Sequence, residues 1–252
     1  MNPSGSDHPS ALELVEQKNR RGVVSFVRRS PRLTPQQQRL WDQFADRWLI
    51  EVPREGNSTS IDPQHQVDLA ATFGREAPLI IEIGPGMGES LAPMAAARPD
   101  ANVLAFEVYR PAIARILAKI DRVGAENVRV VQANAVDGLR QIAPEGGVDE
   151  LWMFFPDPWH KSKHRKRRLL NHEFAELVAS RLASGAVWRL ATDWADYARQ
   201  MRAVLDDHPA FESLYPGSFA PRWADRPVTK FEQRGIDEGR EIFDLAYRRR
   251  PR

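Results

Sequence analysis

The chain has 252 residues, 42% of them hydrophobic, with a formal net charge of +2 at neutral pH and no cysteine. The missing cysteine excludes disulfides, thiolate zinc sites and cysteine nucleophiles. No apolar run approaches 18 residues and Val23–Val27 is too short for a signal-peptide core, so the expectation is a cytoplasmic protein with no membrane span.

The net charge is small, so its distribution matters. Positive residues gather at Lys18–Arg32, Lys161–Arg168 and Arg248–Arg252, and such patches favour phosphate-rich partners. Residues 1–33 are rich in Ser, Pro, Gly and basic side chains without periodicity, which reads as a disordered arm. A helix is predicted from Thr34: Thr34, Pro35 and Gln37 form an N-terminal signal, and Trp41, Phe44, Ala45 and Trp48 give one apolar face. Residues 51–66 read as a polar connector, and Val67–Phe73 as a short helix.

The core pattern begins at Leu79–Ile83, a continuous apolar run that reads as a buried parallel strand. Gly84, Gly86 and Gly88 follow as G-x-G-x-G, and Glu89 stands where a dinucleotide fingerprint would have its last glycine. Glu82 at the strand end would repel a pyrophosphate but suits an ammonium group. The pair therefore points to S-adenosylmethionine, which has an amino-acid end and a sulfonium but no phosphate. The second strand, Val103–Phe106, ends at Glu107, at the distance from the glycines where an acid meets ribose hydroxyls. A helix with buried face Ile113, Ile116, Leu117, Ile120 and Val123 is closed by Gly124. The third strand, Val128–Val131, leads to Asn134, which either addresses an adenine edge or simply shapes the loop.

The fourth strand, Leu151–Phe155, stops at Pro156-Asp157-Pro158 because two prolines end both helix and ladder. Asp157 is thereby presented at the carboxyl rim of the sheet, where ligands bind in open α/β folds. Trp159 and the run Lys161, Lys163, His164, Arg165, Lys166, Arg167, Arg168 follow within a dozen residues. A carboxylate, an aromatic plate and dense positive charge suggest chemistry on a nucleic-acid base. A helix bearing Phe174, Leu177, Val178 and Leu182 is predicted to close at Gly185. The fifth strand, Ala186–Leu190, ends at Asp193, a rim acid or a helix cap. Phe211–Tyr215 and Glu241–Tyr247 read as the last strands, with Pro216–Pro227 as loop. Thr229-Lys230-Phe231-Glu232 reads alone as a capping box.

Taken together, Ile81-Glu82-Ile83-Gly84-x-Gly86-Met87-Gly88, Phe155-Pro156-Asp157-Pro158-Trp159-x-Lys161, Ala191-Thr192-Asp193 and Thr229-Lys230-Phe231-Glu232 resemble the bacterial tRNA (guanine-N7-)-methyltransferases. The resemblance spans roughly residues 34–250. It implies an α/β, class I (Rossmann-like) methyltransferase fold: a mostly parallel seven-stranded sheet, its last strand antiparallel, with helices on both faces. It implies one methyltransferase domain over 34–252, with 34–66 docking on the core, and methyl transfer from S-adenosylmethionine to N7 of guanine 46 in the tRNA variable loop. Asp157 is then the catalytic carboxylate. Cofactor contacts fall on Glu82, Gly84, Gly86, Gly88, Glu107, Asn134 and Asp157. Substrate contacts fall on Lys161, Asp193, Thr229, Lys230, Phe231 and Glu232. Lys163, His164, Arg165, Lys166, Arg167 and Arg168 lie on RNA. No metal is implied, and the chain is expected to act as a monomer or homodimer. Asn134 departs from the pattern, where Asp is expected. The residues alone leave open an amino-methyltransferase on adenine or cytosine, a non-catalytic RNA-binding relict and a small-molecule methyltransferase.

Overall fold

The computed structural model describes residues 32–56 and 59–252. The basic arm, apart from its end at Arg32, lies outside the described residues. Helix α1 (Pro35–Trp48) starts at the predicted place. The Thr34 hydroxyl accepts from the Gln37 amide, and the Gln37 side chain accepts from the Thr34 amide. Its Trp48 is 1% exposed, and Trp41 lies under the Arg110 guanidinium at 4.3 Å. These contacts dock α1 on α4 (Arg110–Val123).

The strands are β1 (Leu49–Ile50), β2 (Leu79–Ile83), β3 (Asn102–Glu107), β4 (Val128–Gln132), β5 (Val148–Phe154), β6 (Leu182–Thr192), β7 (Phe211–Ser213) and β8 (Phe243–Arg249). They form one sheet in the order β1-β4-β3-β2-β5-β6-β8-β7. Strands β1 to β6 pair in parallel, and β8 is antiparallel to both β6 and β7. The expected seven strands are present. The eighth is the two-residue β1, an edge too short to show in a hydrophobic pattern. The order of strand addition reverses at β2, with β3 and β4 on one side and β5 and β6 on the other, and this switch point opens the rim into a crevice.

The helices that follow are α2 (Leu69–Phe73), α3 (Leu91–Ala96), α4, α5 (Ala135–Gln141), α6 (His172–Arg181), α7 (Ala195–Asp207) and α8 (Lys230–Asp237). Two apolar layers cover the sheet. Ile80, Val103 and Ala105 face Trp48, Ile113 and Ile116. Ile81, Leu104 and Phe106 face Leu139, Phe174 and Tyr197. This alternation buries both faces and explains why β2 is apolar at every position but Glu82.

Several boundaries differ from the sequence reading, most clearly around β6 and β8. Helix α6 ends at Arg181, not Gly185, and β6 begins at once. Gly185 (φ 84°) sits inside that strand, where two steps along β5 (Val148 to Glu150) span five along β6 (Leu182 to Val187). The glycine marks a bulge and not a helix end. Strand β8 starts two residues late and runs on to Arg249. The arginines around the end of β8 are largely spent on the protein. Arg249 Nε donates to Ala179 O at 2.9 Å, Arg250 Nε to Phe211 O at 3.0 Å, and Arg252 binds Ser180 O. Three members of that cluster thus cap backbone carbonyls, while Arg248, Arg250 and Arg252 remain exposed.

Candidate active site at the carboxyl rim of the sheet

Five strands deliver their ends to one rim. After β2, Gly84, Gly86 and Gly88 all have positive φ (66°, 58°, 69°). At Gly88 a Cβ would stand 2.9 Å from Ile116 Cγ1, so the loop packs against α4 only without a side chain. Nothing lies within 4 Å of the corresponding position on Gly84 or Gly86, which leaves their backbone open to a ligand.

Glu82 is 1% exposed. Its Oε1 accepts from the Ser90 hydroxyl at 3.1 Å, while Oε2 has no partner. Burial pushes its carboxyl up to about 8, against the Ser90 hydrogen bond and with help from the Glu107 charge. A buried carboxyl with one orphaned oxygen beside an open glycine loop fits a ligand ammonium group. Glu107 Oε2 accepts from the Gly86 amide at 3.1 Å, and Oε1 from Val108 and Tyr109 at 2.7 and 2.8 Å. It therefore shapes the glycine loop and keeps lone-pair capacity for a hydroxyl. Burial raises its pKa, opposed by these three bonds, and the Asp157 charge raises it further. The proline-flanked acid and the ribose-binding candidate thus act electrostatically on one another. These residues fit S-adenosylmethionine.

Asn134 caps α5. Its Oδ1 accepts from Asp137 N at 2.9 Å, and Nδ2 donates to Thr59 O at 3.0 Å and Asp137 Oδ2 at 2.7 Å. Both amide hydrogens are used, so an adenine-edge role shrinks to one Oδ1 lone pair. The sequence reading missed Asp137, whose carboxylate sits in the same knot.

At the corner, Phe155 (φ 51°) and Trp159 (φ 41°) are the two non-glycine residues of positive φ among the described residues. They bracket Pro156-Asp157-Pro158, and strain of this kind persists only where the surroundings enforce it. Asp157 is exposed. Trp159 is half-buried, with the Arg167 guanidinium 5.0 Å from its ring centre and the His164 ring edge-on at 5.9 Å. Lys161, Lys163, Arg165 and Lys166 are exposed along a 3₁₀ turn, Ser162–Arg167. Arg168 is not on that surface: it is 2% exposed and bonded wholly within the protein. Its assignment to RNA is corrected.

Asp193 does not cap α7, whose cap residue is Trp194 without a side-chain bond. Its Oδ2 lies 2.8 Å from Arg240 Nε, a partner the sequence reading did not name. Helix α8 crosses this region. Thr229 caps it by accepting from the Glu232 amide at 3.1 Å. The Glu232 carboxylate does not close a capping box. It is fully buried between Arg226 (2.7 Å) and Arg222 (3.0 Å), and Arg226 also reaches Asp244 at 2.9 Å. Glu232 is therefore an anchor for α8, and its assignment as a substrate contact is corrected. The Lys230 amide donates to Glu89 Oε2 at 2.8 Å. Phe231 is 54% exposed, its ring 5.3 Å from that of Phe155. Helix α8 is thus tied to the glycine loop through Glu89, to the corner through Phe231 and to the β6 end through Arg240.

A family model described as "Putative methyltransferase" matches residues 76–245. The chain is 51% identical to the tRNA (guanine-N(7)-)-methyltransferase of Cutibacterium acnes over 91% of this chain and 84% of that one. It is 52% identical to the enzyme of that name from Nocardioides sp. over 91% and 88%. The chain belongs to the tRNA (guanine-N(7)-)-methyltransferase family. A relative of the same name from Aromatoleum aromaticum is 42% identical over 99% of this chain and 97% of that one. Among the described residues no helix is long and apolar enough to cross a membrane, and no group of three His, Cys, Asp or Glu could hold a metal.

Proposed function

We propose that this protein transfers a methyl group from S-adenosylmethionine to N7 of guanine 46 in the variable loop of tRNA. Family membership supports the reaction class. The observation that carries the site is the buried Glu82 carboxyl, whose Oε2 has no partner, beside a glycine loop braced by Glu107. When bound, the cofactor supplies an electrophilic methyl group. Glu82 would hold its ammonium and Glu107 its ribose, with the loop Gly84–Gly88 alongside.

Guanine N7 already has an in-plane lone pair, so no general base is needed. The protein must align the base, which is worth about 7–11 kcal/mol at best, and offset the positive charge the purine gains. Asp157 accepts hydrogen bonds from the guanine Watson–Crick edge, and its charge favours the developing cation. Asp193 is the second acceptor. Phe231 offers an exposed apolar face for a base taken out of its stack. Lys161, Lys163, Arg165 and Lys166 hold phosphates without reading sequence, and His164 and Arg167 brace Trp159 beneath them.

The test is incubation of the protein with unmodified tRNA and labelled cofactor, followed by nucleoside mass spectrometry. N7-methylguanosine is expected, and it should vanish from a transcript with guanine 46 replaced. Label on an exocyclic amine of adenine or cytosine would establish the amino-methyltransferase reading instead.

A further inference from the structure

The basic tract would place Arg168 on the RNA surface, and its burial raises the question of what a fully covered guanidinium does there. Every one of its nitrogens is placed. Nε donates to the Pro158 carbonyl at 2.8 Å, Nη1 to Gln200 Oε1 at 2.7 Å and Nη2 to Asp196 Oδ2 at 2.7 Å. The plane lies 4.8 Å from the Tyr197 ring centre. Gln200 donates on to Leu170 O at 3.1 Å, and the Tyr197 hydroxyl accepts from Leu170 N at 3.0 Å. Three residues of the first turns of α7 therefore grip the carboxyl end of the basic tract, and Arg168 reaches from there to Pro158 on its amino side.

Pro158 is the residue after Asp157 and the residue before the strained Trp159. Its carbonyl is the handle by which the corner is fixed. A left-handed aromatic is strained and relaxes unless something holds it. Arg168 is a buried, rigid, multidentate group in contact with that peptide. The Asp157 charge also reaches Tyr197, under the same guanidinium. The far end of the cluster emerges at the surface: Asp196 Oδ2 is shared with Arg165 Nη2 at 3.3 Å, and Arg165 is 51% exposed within the phosphate-binding tract.

We infer that Arg168 is a positioning residue for Asp157: it holds the Pro156-Asp157-Pro158 corner through the Pro158 carbonyl, and Asp196 joins this clamp to the RNA-facing Arg165. The inference rests on the reading of Asp157 as the base-holding carboxylate. Arg168 itself touches neither cofactor nor RNA. Asp196 is held below the ordinary carboxylate range, first by its hydrogen bond to Arg168, so it stays charged and the clamp stays closed at physiological pH.

The test uses the full-length protein with tRNA. Arg168→Lys keeps the charge but cannot make the three-way grip. Its kcat should fall 10-fold or more, while the Kd values for tRNA and S-adenosylhomocysteine stay within twofold of the parent. In an Asp157→Asn background the same change should alter the residual rate less than twofold, because a residue that acts through Asp157 has nothing left to position. Asp196→Asn, isosteric and milder, should give the same pattern at smaller size and decides the matter if Arg168→Lys does not fold. A parent-like kcat in a folded variant overturns the inference, as does full additivity with Asp157→Asn. So does a loss of tRNA affinity and salt slope with kcat unchanged, which would return Arg168 to the RNA. If Asp157→Asn alone leaves turnover intact, the functional reading falls first.

Discussion

Arg240 Nε stands 2.8 Å from Asp193 Oδ2, joining the loop after α8 to the end of β6. Asp193 is 11% exposed in its side chain, so losing its partner leaves a largely desolvated charge uncompensated. Arg240→Gln should lower kcat/KM about 10-fold, and Arg240→Lys should recover most of it; steady-state kinetics with tRNA varied would show this. An unchanged kcat/KM in Arg240→Gln would remove Asp193 from the base-binding set.

Asp157→Ala should lower kcat by about 10²–10³, the usual cost of one oriented group at a developing charge. Binding of tRNA by filter retention should stay near normal, because phosphates and not the base supply most of the affinity. Parent-like turnover would eliminate Asp157 from the chemistry.

How much of this is readable from the sequence depends on what kind of signal each residue leaves. The strands at Leu79–Ile83 and Leu151–Phe154 stand out because both faces are buried and every position is apolar or aromatic, save the functional Glu82. The α1 start is legible since a capping box is local chemistry between Thr34 and Gln37. Arg168 is misread because a basic run carries no mark of which member turns inward; that is decided by Asp196 and Gln200, about 30 residues on. Glu232 is misread for the same reason, its partners Arg222 and Arg226 lying in a tract without periodicity. Glu89 and Arg240 give no motif for their roles, since each acts through tertiary contacts.

With Glu82 as the proposed ammonium ligand, cofactor binding is proton-linked. In the free protein its carboxyl sits at about 8, raised mainly by burial, so it is largely neutral at pH 7, whereas an ammonium ligand requires the anion. Binding should therefore release close to one proton near neutrality, and affinity should climb steeply as pH rises towards that pKa. Calorimetry with S-adenosylhomocysteine in two buffers of different ionisation heat measures the release, and Glu82→Gln should abolish it. The sign for folding is opposite. A raised pKa gives stability that is complete below the unfolded value of 4.5 and is lost as pH rises through about 8. The melting temperature of ligand-free parent relative to Glu82→Gln should accordingly fall between those limits.

Neutralising Lys161, Lys163, Arg165 and Lys166 together should weaken tRNA binding and flatten its salt dependence by roughly 0.7–0.9 for each phosphate no longer neutralised. Titrations between low and moderate salt provide the slope. A parent-like slope would place the RNA elsewhere on the protein.

Glu89→Ala should untie the start of α8 from the glycine loop, since its Oε2 takes the Lys230 amide hydrogen. Amide exchange over Lys230–Glu232 should quicken while that of β2 stays unchanged. Equal protection in both proteins would mean that the Glu232–Arg226 anchor alone fixes the helix.

The place of β8 in the sheet governs the order in which the molecule can be completed. The last strand of this sheet in chain order is inserted between β6 and β7 and is not added outside them. Until Phe243–Arg249 emerges from the ribosome, β6 presents a bare ladder edge and β7 has nothing to pair with. A nascent chain stalled just before that point would carry an unprotected edge open to pairing with another chain, and the crevice holding Asp193 would still lack its far wall.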